Sequence, residues 1–266
     1  MKVYVVTPAL DEAENLRTAL PAVCAALAAL RRDFEVCVVD DGSTDDTVPL
    51  CQRLGKQLPI HVVSHPTNLG VDAAFTTGFA WALARARDED AVVTMEADNT
   101  ADLSILPDLL AKLEGGAELV LASCYAPGGQ IVGTNAHRRL LSHLANWLLR
   151  VSFSLHEIHT YSAFYRAYRA GLLRRAYTAF DGKLIECKGF VCMVEVVAKM
   201  HLLTSAIEEV PTVLRADLRE GTSKMRVPKT IWGYLKFIWH AKAGQGRQVF
   251  AAAARANAPC AQSRSH

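Results

Sequence analysis

Two hydrophobic patterns alternate along the first half of the chain. Short, continuous apolar runs bounded by polar turns predict buried strands at Val3–Val6, Glu35–Val39, Ile60–Ser64, Ala91–Met95 and Glu118–Ala122. Between them, longer segments carry apolar residues at helical spacing: Glu12 to about Leu30, a stretch ending near Gln57, Val71 to about Arg87, and Leu103–Leu113. Ser43 or Thr44 is placed to cap the second helix, because a short polar side chain satisfies its first free N–H groups. Gly115-Gly116 stops the fourth. Strand alternating with helix through short connections predicts an α/β fold with a mostly parallel sheet and helices on both faces.

The second half is less regular. Gly128-Gly129 marks a loop, and Asn135–Ser154 predicts a helix with Leu140, Leu141, Leu144, Trp147, Leu148 and Val151 on its apolar side. Phe164–Tyr177 is basic and aromatic, Glu195–His201 predicts another helix, and Glu220–Lys224 reads as a polar loop. Thr230–Lys242 predicts an aromatic and basic helix. From about Arg247 the chain becomes Ala-rich and then polar, the composition of a frayed tail. We read a single domain over residues 1–246, divided into halves 1–124 and 125–246, with a tail at 247–266.

Composition narrows the picture. Of 266 residues, 51% are hydrophobic and 21% charged, enough for a packed core and against wholesale disorder. A net charge of +2 gives no broad electrostatic reason to expect a nucleic acid partner. The seven cysteines have no zinc-site spacing: Cys187 and Cys192 form the closest pair, with no second pair nearby. Free thiols in a reducing cytosol are expected. Met1-Lys2 leads directly into a strand, so no signal peptide is expected. The most apolar long stretch, Thr18–Leu30, contains Pro21 and is too short to span a bilayer. These features point to a cytoplasmic protein.

The candidate chemistry lies just after the strands. The first is followed by Pro8, Asp11 and Glu12, the second by Asp40 and Asp41, the third by Asn68 and Gly70, and the fourth by Glu96 and Asp98. In open α/β sheets, ligands bind in the crevice beyond the carboxyl ends of the strands. Carboxylates gathered there repel one another, a cost that a cation or ligand donors would offset. If a cation does so, it is a hard one, because hard cations select carboxylate oxygens. No G-x-x-x-x-G-K-[ST] string is present, which argues against a phosphate-loop ATPase. His156 and His159 lack a third ligand at metal spacing and read as structural or surface residues.

The strings TPALDEAENL, VVDDGSTDDT, NLGVDAAFTTGFAWAL and VVTMEAD occur in an order and spacing that resembles glycosyltransferase family 2. Within it, the likeness is strongest to the dolichyl- or polyprenyl-phosphate mannosyltransferase branch. YAPGGQIVG, RRLLSHLAN, YRAYR, GFVCMVE and REGTSKM extend the likeness to about Met225. The resemblance implies a Rossmann-like GT-A fold, a divalent metal, a nucleoside-diphosphate sugar donor and an inverting transfer. Carried over by position, Pro8, Leu10 and Glu12 would line the nucleotide pocket, and Asp40 and Asp41 would meet base and ribose. Glu96, Ala97 and Asp98 stand at the D-x-D signature that anchors metal and diphosphate. Arg138 and Lys224 match family cations near the phosphates, and Arg219 lies one position nearer the loop glycine than the usual arginine. Other departures are Glu96 for the first aspartate, Cys124 for an arginine, Thr160 where aspartate is common and Phe164 where glycine is common.

The implied donor is GDP-mannose or a UDP-hexose, and the implied acceptor a polyprenyl or dolichyl phosphate. A hydroxyl acceptor would need a base, for which Glu195 is the candidate, whereas a lipid phosphate is already anionic. Glu195 equally suits a structural pairing with a basic side chain. Between Lys229 and Lys242, two tryptophans, a tyrosine, a phenylalanine and three lysines suit a membrane headgroup boundary, and Ile231, Leu235 and Ile238 suit packing on the domain. Two functions follow: a transferase, peripheral on the cytosolic membrane face if its acceptor is a lipid phosphate, or a binding protein that has lost turnover.

Overall fold

The computed structural model describes residues 1–134, 136–153, 158–218 and 227–243, without the side chains of 136–141, 153 and 227–229. The strands are β1 (Val3–Ala9), β2 (Phe34–Asp40), β3 (Ile60–Ser64), β4 (Ala91–Thr94), β5 (Leu119–Ser123), β6 (Gln130–Val132), β7 (Arg166–Arg169), β8 (Ile207–Pro211) and β9 (Val213–Arg215). The helices are α1 (Ala13–Ala29), α2 (Thr47–Leu54), α3 (Val71–Leu83), α4 (Leu106–Glu114), α5 (Ala136–Phe153), α6 (Ala170–Ala179), α7 (Cys192–His201) and α8 (Val227–Lys242).

Seven strands form one sheet in the order β3-β2-β1-β4-β7-β5-β8. The first four in that order are parallel, and β5 runs parallel to β8. Only β7 is antiparallel to its neighbours, slotting between β4 and β5. The predicted mostly parallel sheet is therefore present, and it is interrupted by one strand from the irregular half. The apolar stripe of β7 is short and shared with two arginines, so periodicity alone did not mark it as a strand. A small second sheet pairs β6 with β9.

Side chains alternate across the sheet. Val3 and Val5 pack with α1, α2 and α4 on one face. Tyr4 and Val6 pack with α3, α6, α7 and the inner side of α8 on the other. Helix α3 lies so close to β1 that a Cβ on Gly78 would come within 2.2 Å of Val6 Cγ1. The order 3-2-1-4 reverses the direction of winding next to β1, which opens a crevice at the carboxyl ends of β1, β2 and β4.

Two local expectations are corrected. Neither Ser43 nor Thr44 caps α2, whose N-cap is Asp46; both are engaged by the neighbouring loop instead. On α5, Leu144, Trp147 and Val151 face outward with more than half of their surface exposed, while Leu149 and Asn146 are buried. The apolar spacing was real, but it marks an uncovered stripe rather than a core face.

Candidate functional site

The crevice is built by loops that hold one another. Asp11 adopts a positive φ of 48°. Its N–H donates to Ser43 Oγ at 2.8 Å, and its carboxylate accepts from Thr44 N–H at 2.7 Å. Glu12 N–H donates to Thr47 Oγ1 at 2.9 Å, and Ala13 N–H to Asp45 Oδ2 at 3.1 Å. Burial works against ionisation of Asp45, yet hydrogen bonds from Thr47 and Ala13 hold its carboxyl below the usual range. Loops β1–α1 and β2–α2 thus form one wall, which carries Pro8, Leu10 and Glu12, all partly exposed. The side chain of Glu12 accepts from Asn15 Nδ2 at 2.7 Å.

The adjacent aspartates behave differently. Buried Asp40 accepts from Ser43 N–H at 3.1 Å, closing the turn. Gly42 has φ 79°, and a Cβ there would lie 2.6 Å from the Thr67 carbonyl carbon. Asp41 accepts from His65 Nδ1 at 2.8 Å, Leu69 N–H at 2.9 Å and Gly70 N–H at 2.8 Å. Both of its oxygens therefore hold the 65–70 loop. Asp41, expected beside the nucleotide, is thus engaged in holding this loop.

At the end of β4, Glu96 and Asp98 are partly exposed and Ala97 is buried. Glu96 Oε1 accepts from Phe164 N–H at 3.2 Å. Asp98 Oδ1 accepts from Thr100 Oγ1 at 2.6 Å and Thr100 N–H at 3.2 Å, around Asn99 with φ 60°. Thr7 Oγ1 donates to Met95 O at 3.1 Å, fastening β1 to this turn. Among the described residues, no three His, Cys, Asp or Glu side chains converge as a complete metal cage. Two hard-oxygen donors on one turn do suit a cation that completes its shell with phosphate oxygens and water.

Cys124 follows β5. Burial pushes its thiol up to about 12, and the Glu96 and Glu209 charges act in the same direction. A neutral thiol therefore occupies the position where the family resemblance expects a cation. Glu209, which sequence reasoning missed, organises the neighbouring loop: it accepts from His159 N–H and Thr160 N–H, each at 2.9 Å, and from His159 Nδ1 at 2.7 Å. Ser123 Oγ then donates to Thr160 Oγ1 at 3.0 Å. His159 is thus structural. His156 lies outside the described residues, as do Arg219, the whole polar loop with Lys224, and the 247–266 tail; Arg138 lies on α5 with its side chain outside them.

Glu195 is 2% exposed, and both of its oxygens are taken. Oε1 pairs with Lys199 Nζ at 2.8 Å, and Oε2 accepts from Glu186 N–H at 2.9 Å and Cys187 N–H at 2.7 Å. Lys199 also donates to Lys183 O at 2.7 Å and Leu184 O at 3.2 Å. A general base needs a lone pair aimed at substrate. Of the two expectations for Glu195, this geometry fits the structural one, a clip that fastens the 183–187 segment to α7. The i, i+4 spacing of Glu195 and Lys199 was the available signal.

A Rossmann-like sheet with carboxylates at the ends of β2 and β4, walled by interlocked loops, is the arrangement expected of a GT-A glycosyltransferase. The profile of "Glycosyl transferase family 2" matches residues 4–176, and the chain belongs to that family. It is 33% identical over 227 residues to an undecaprenyl-phosphate mannosyltransferase of Micrococcus luteus, covering 85% of this chain and 88% of that protein. It is 30% identical over 226 residues to a polyprenol monophosphomannose synthase of Mycolicibacterium smegmatis, covering 84% and 81%. The fold is shared with glucosyl-3-phosphoglycerate synthase from Mycobacterium tuberculosis in complex with Mn2+ and UDP-glucose, with a TM-score of 0.62, 21% identity, and coverage of 89% of this chain and 76% of that one.

Proposed function

We propose that this glycosyltransferase moves a hexose, with inversion, from GDP-mannose or a UDP-hexose to a polyprenyl phosphate. The observation that carries the reading is the gathering of Asp40, Glu96 and Asp98 at the ends of strands flanking β1. The names of the relatives favour the lipid phosphate acceptor. Glu96 and Asp98 would hold Mg2+ or Mn2+, which when bound supplies positive charge to the departing diphosphate. Asp40, Pro8, Leu10 and Glu12 bind and orient the nucleoside portion, and Asp41 keeps the opposite loop in place. Arg138 and Lys224 are the proposed cations toward the phosphates, with Arg219 beside them. The acceptor phosphate carries its own negative charge, so no residue needs to take a proton from it.

A peripheral position on the cytosolic membrane face fits this acceptor. Among the described residues, no helix is long and apolar enough to cross a membrane. Among the described residues, six of the nine exposed large hydrophobics lie on two helices: Leu144, Trp147 and Val151 on α5, and Trp232, Leu235 and Trp239 on α8. Each set has i, i+3, i+7 spacing, and the two helices pack on each other. Neither contains an Asp or Glu, whereas together they carry three arginines and three lysines. Apolar stripes with an acid-free basic surround suit an anionic lipid surface.

The test is transfer of labelled sugar to undecaprenyl phosphate with each nucleotide sugar and metal. Turnover should require the metal and fall about a hundredfold or more in Asp98→Asn, since several kcal/mol of charge stabilisation is lost. Full metal-dependent turnover in Asp98→Asn would remove that residue from the site.

A further inference from the structure

We infer that the stacked rings of Phe164 and Phe190 seat the first isoprene units of the acceptor, between the membrane-facing helix α8 and the acidic end of β4. This rests on the polyprenyl phosphate reading above. The two rings lie 5.5 Å apart at an interplanar angle of 14°, and both are partly exposed. Phe75, fully buried on α3, meets the Phe164 ring edge-on at 4.9 Å and backs the pair from the core side.

Each ring is tied to one side of the path. Phe164 is fixed through its main chain to β4: its N–H donates to Glu96 Oε1, and its carbonyl accepts from Thr94 Oγ1. Phe190 sits in the single helical turn Gly189–Val191. That turn is anchored by Asp72, which accepts from Gly189 N–H at 2.9 Å and pairs with Lys188 Nζ at 3.0 Å. Helix α8 packs directly on the same turn, so closely that a Cβ on Gly233 would come within 2.5 Å of Val191 Cγ2. The sequence of contacts is therefore α8, the Phe190 turn, Phe164 and Glu96.

In this proposal, an acceptor whose phosphate lies at the β4 end and whose tail enters the bilayer beside α8 passes over this pair. Partly exposed aromatic faces at that crossing lose water when an apolar chain covers them, while a carbohydrate hydroxyl gains nothing there. The pair thus rewards a lipid directly attached to the phosphate and discriminates against short polar acceptors.

The experiment measures kcat/KM for a graded series of prenyl phosphates in detergent, from a single isoprene unit to a long chain, for the unaltered protein, Phe164→Leu and Phe190→Leu. The unaltered protein should gain efficiency steeply over the first units and then level off. Both variants should lose about tenfold toward prenyl acceptors and flatten that early rise, while the KM for the sugar donor stays unchanged and the lost ring contacts lower the thermal midpoint by only a few degrees. Variants that keep the same chain-length profile would overturn the seat while leaving the polyprenyl reading intact. An unaltered protein that glycosylates a hydroxyl acceptor and ignores every prenyl phosphate would overturn both. Should Phe164→Leu fail to fold, the Phe190→Leu profile decides the matter alone.

Discussion

Replacing Glu195 by Ala tests whether that carboxylate is a clip or a base. The change strands the Lys199 ammonium, 2% exposed, without its buried counter-charge and leaves two N–H groups, of Glu186 and Cys187, without their acceptor. Removing one partner of a buried pair costs about 3–5 kcal/mol. The two N–H groups share that network, so their loss overlaps with this figure rather than adding to it. Lys199 keeps the Lys183 and Leu184 carbonyls and Glu186 Oε2, which moderates the loss toward the lower end. For a chain of 266 residues, about 3 kcal/mol corresponds to a fall of roughly 5–6 °C in thermal midpoint. The assay pairs urea unfolding with sugar transfer for Glu195→Ala and for the double variant Glu195→Leu, Lys199→Met. The double variant removes both charges, so it should recover the part of the stability lost to the stranded ammonium and most of the turnover, while the Glu186 and Cys187 N–H groups still lack their acceptor. Were Glu195 a base, the stable double variant would still lose turnover by about a hundredfold or more. That result, or a Glu195→Ala protein with an unchanged unfolding midpoint, would refute the assignment.

Five further outcomes are expected. Calorimetry with a free nucleoside diphosphate should show weakened binding for Asp40→Ala, with a stability loss of about 1 kcal/mol for the one Ser43 N–H bond released. Asp41→Ala, which releases the His65, Leu69 and Gly70 donors, should lower the unfolding midpoint by an amount corresponding to about 1–3 kcal/mol. Sedimentation with anionic vesicles should capture the protein at low salt and release part of it at high salt, and Trp147→Ala with Trp232→Ala should abolish capture; capture unaffected by both would move the lipid surface elsewhere. Burial raises the thiols of Cys37, Cys124 and Cys187 from 9.0 to about 12, so alkylation of the native protein near pH 8 should be slow at these sites. Because the folded values lie above the unfolded ones, stability is retained below about pH 9 and declines as pH rises toward 12; faster unfolding on lowering the pH from 11 to 9 would contradict this.

The sequence by itself determined the sheet's first four strands, the helices between them and the acidic residues at their carboxyl ends. Those features are local: a continuous apolar run and a polar turn are written in adjacent residues, and strand order places their ends together. The tertiary structure alone decided the fate of each polar group. Asp40 and Asp41 are neighbours of one type, yet only the approach of the 65–70 loop commits Asp41 to three internal donors. Glu195 could have been base or clip until the 183–187 segment folded over it. Periodicity on α5 and α8 revealed apolar stripes but could not say which stripe the core would cover. On α8, Tyr234 and Phe237 went inward and Trp232 and Trp239 stayed out, because a helix of limited girth can rest only one face on the domain. Strand β7, too short to announce itself, gained its identity from the two strands between which it lies.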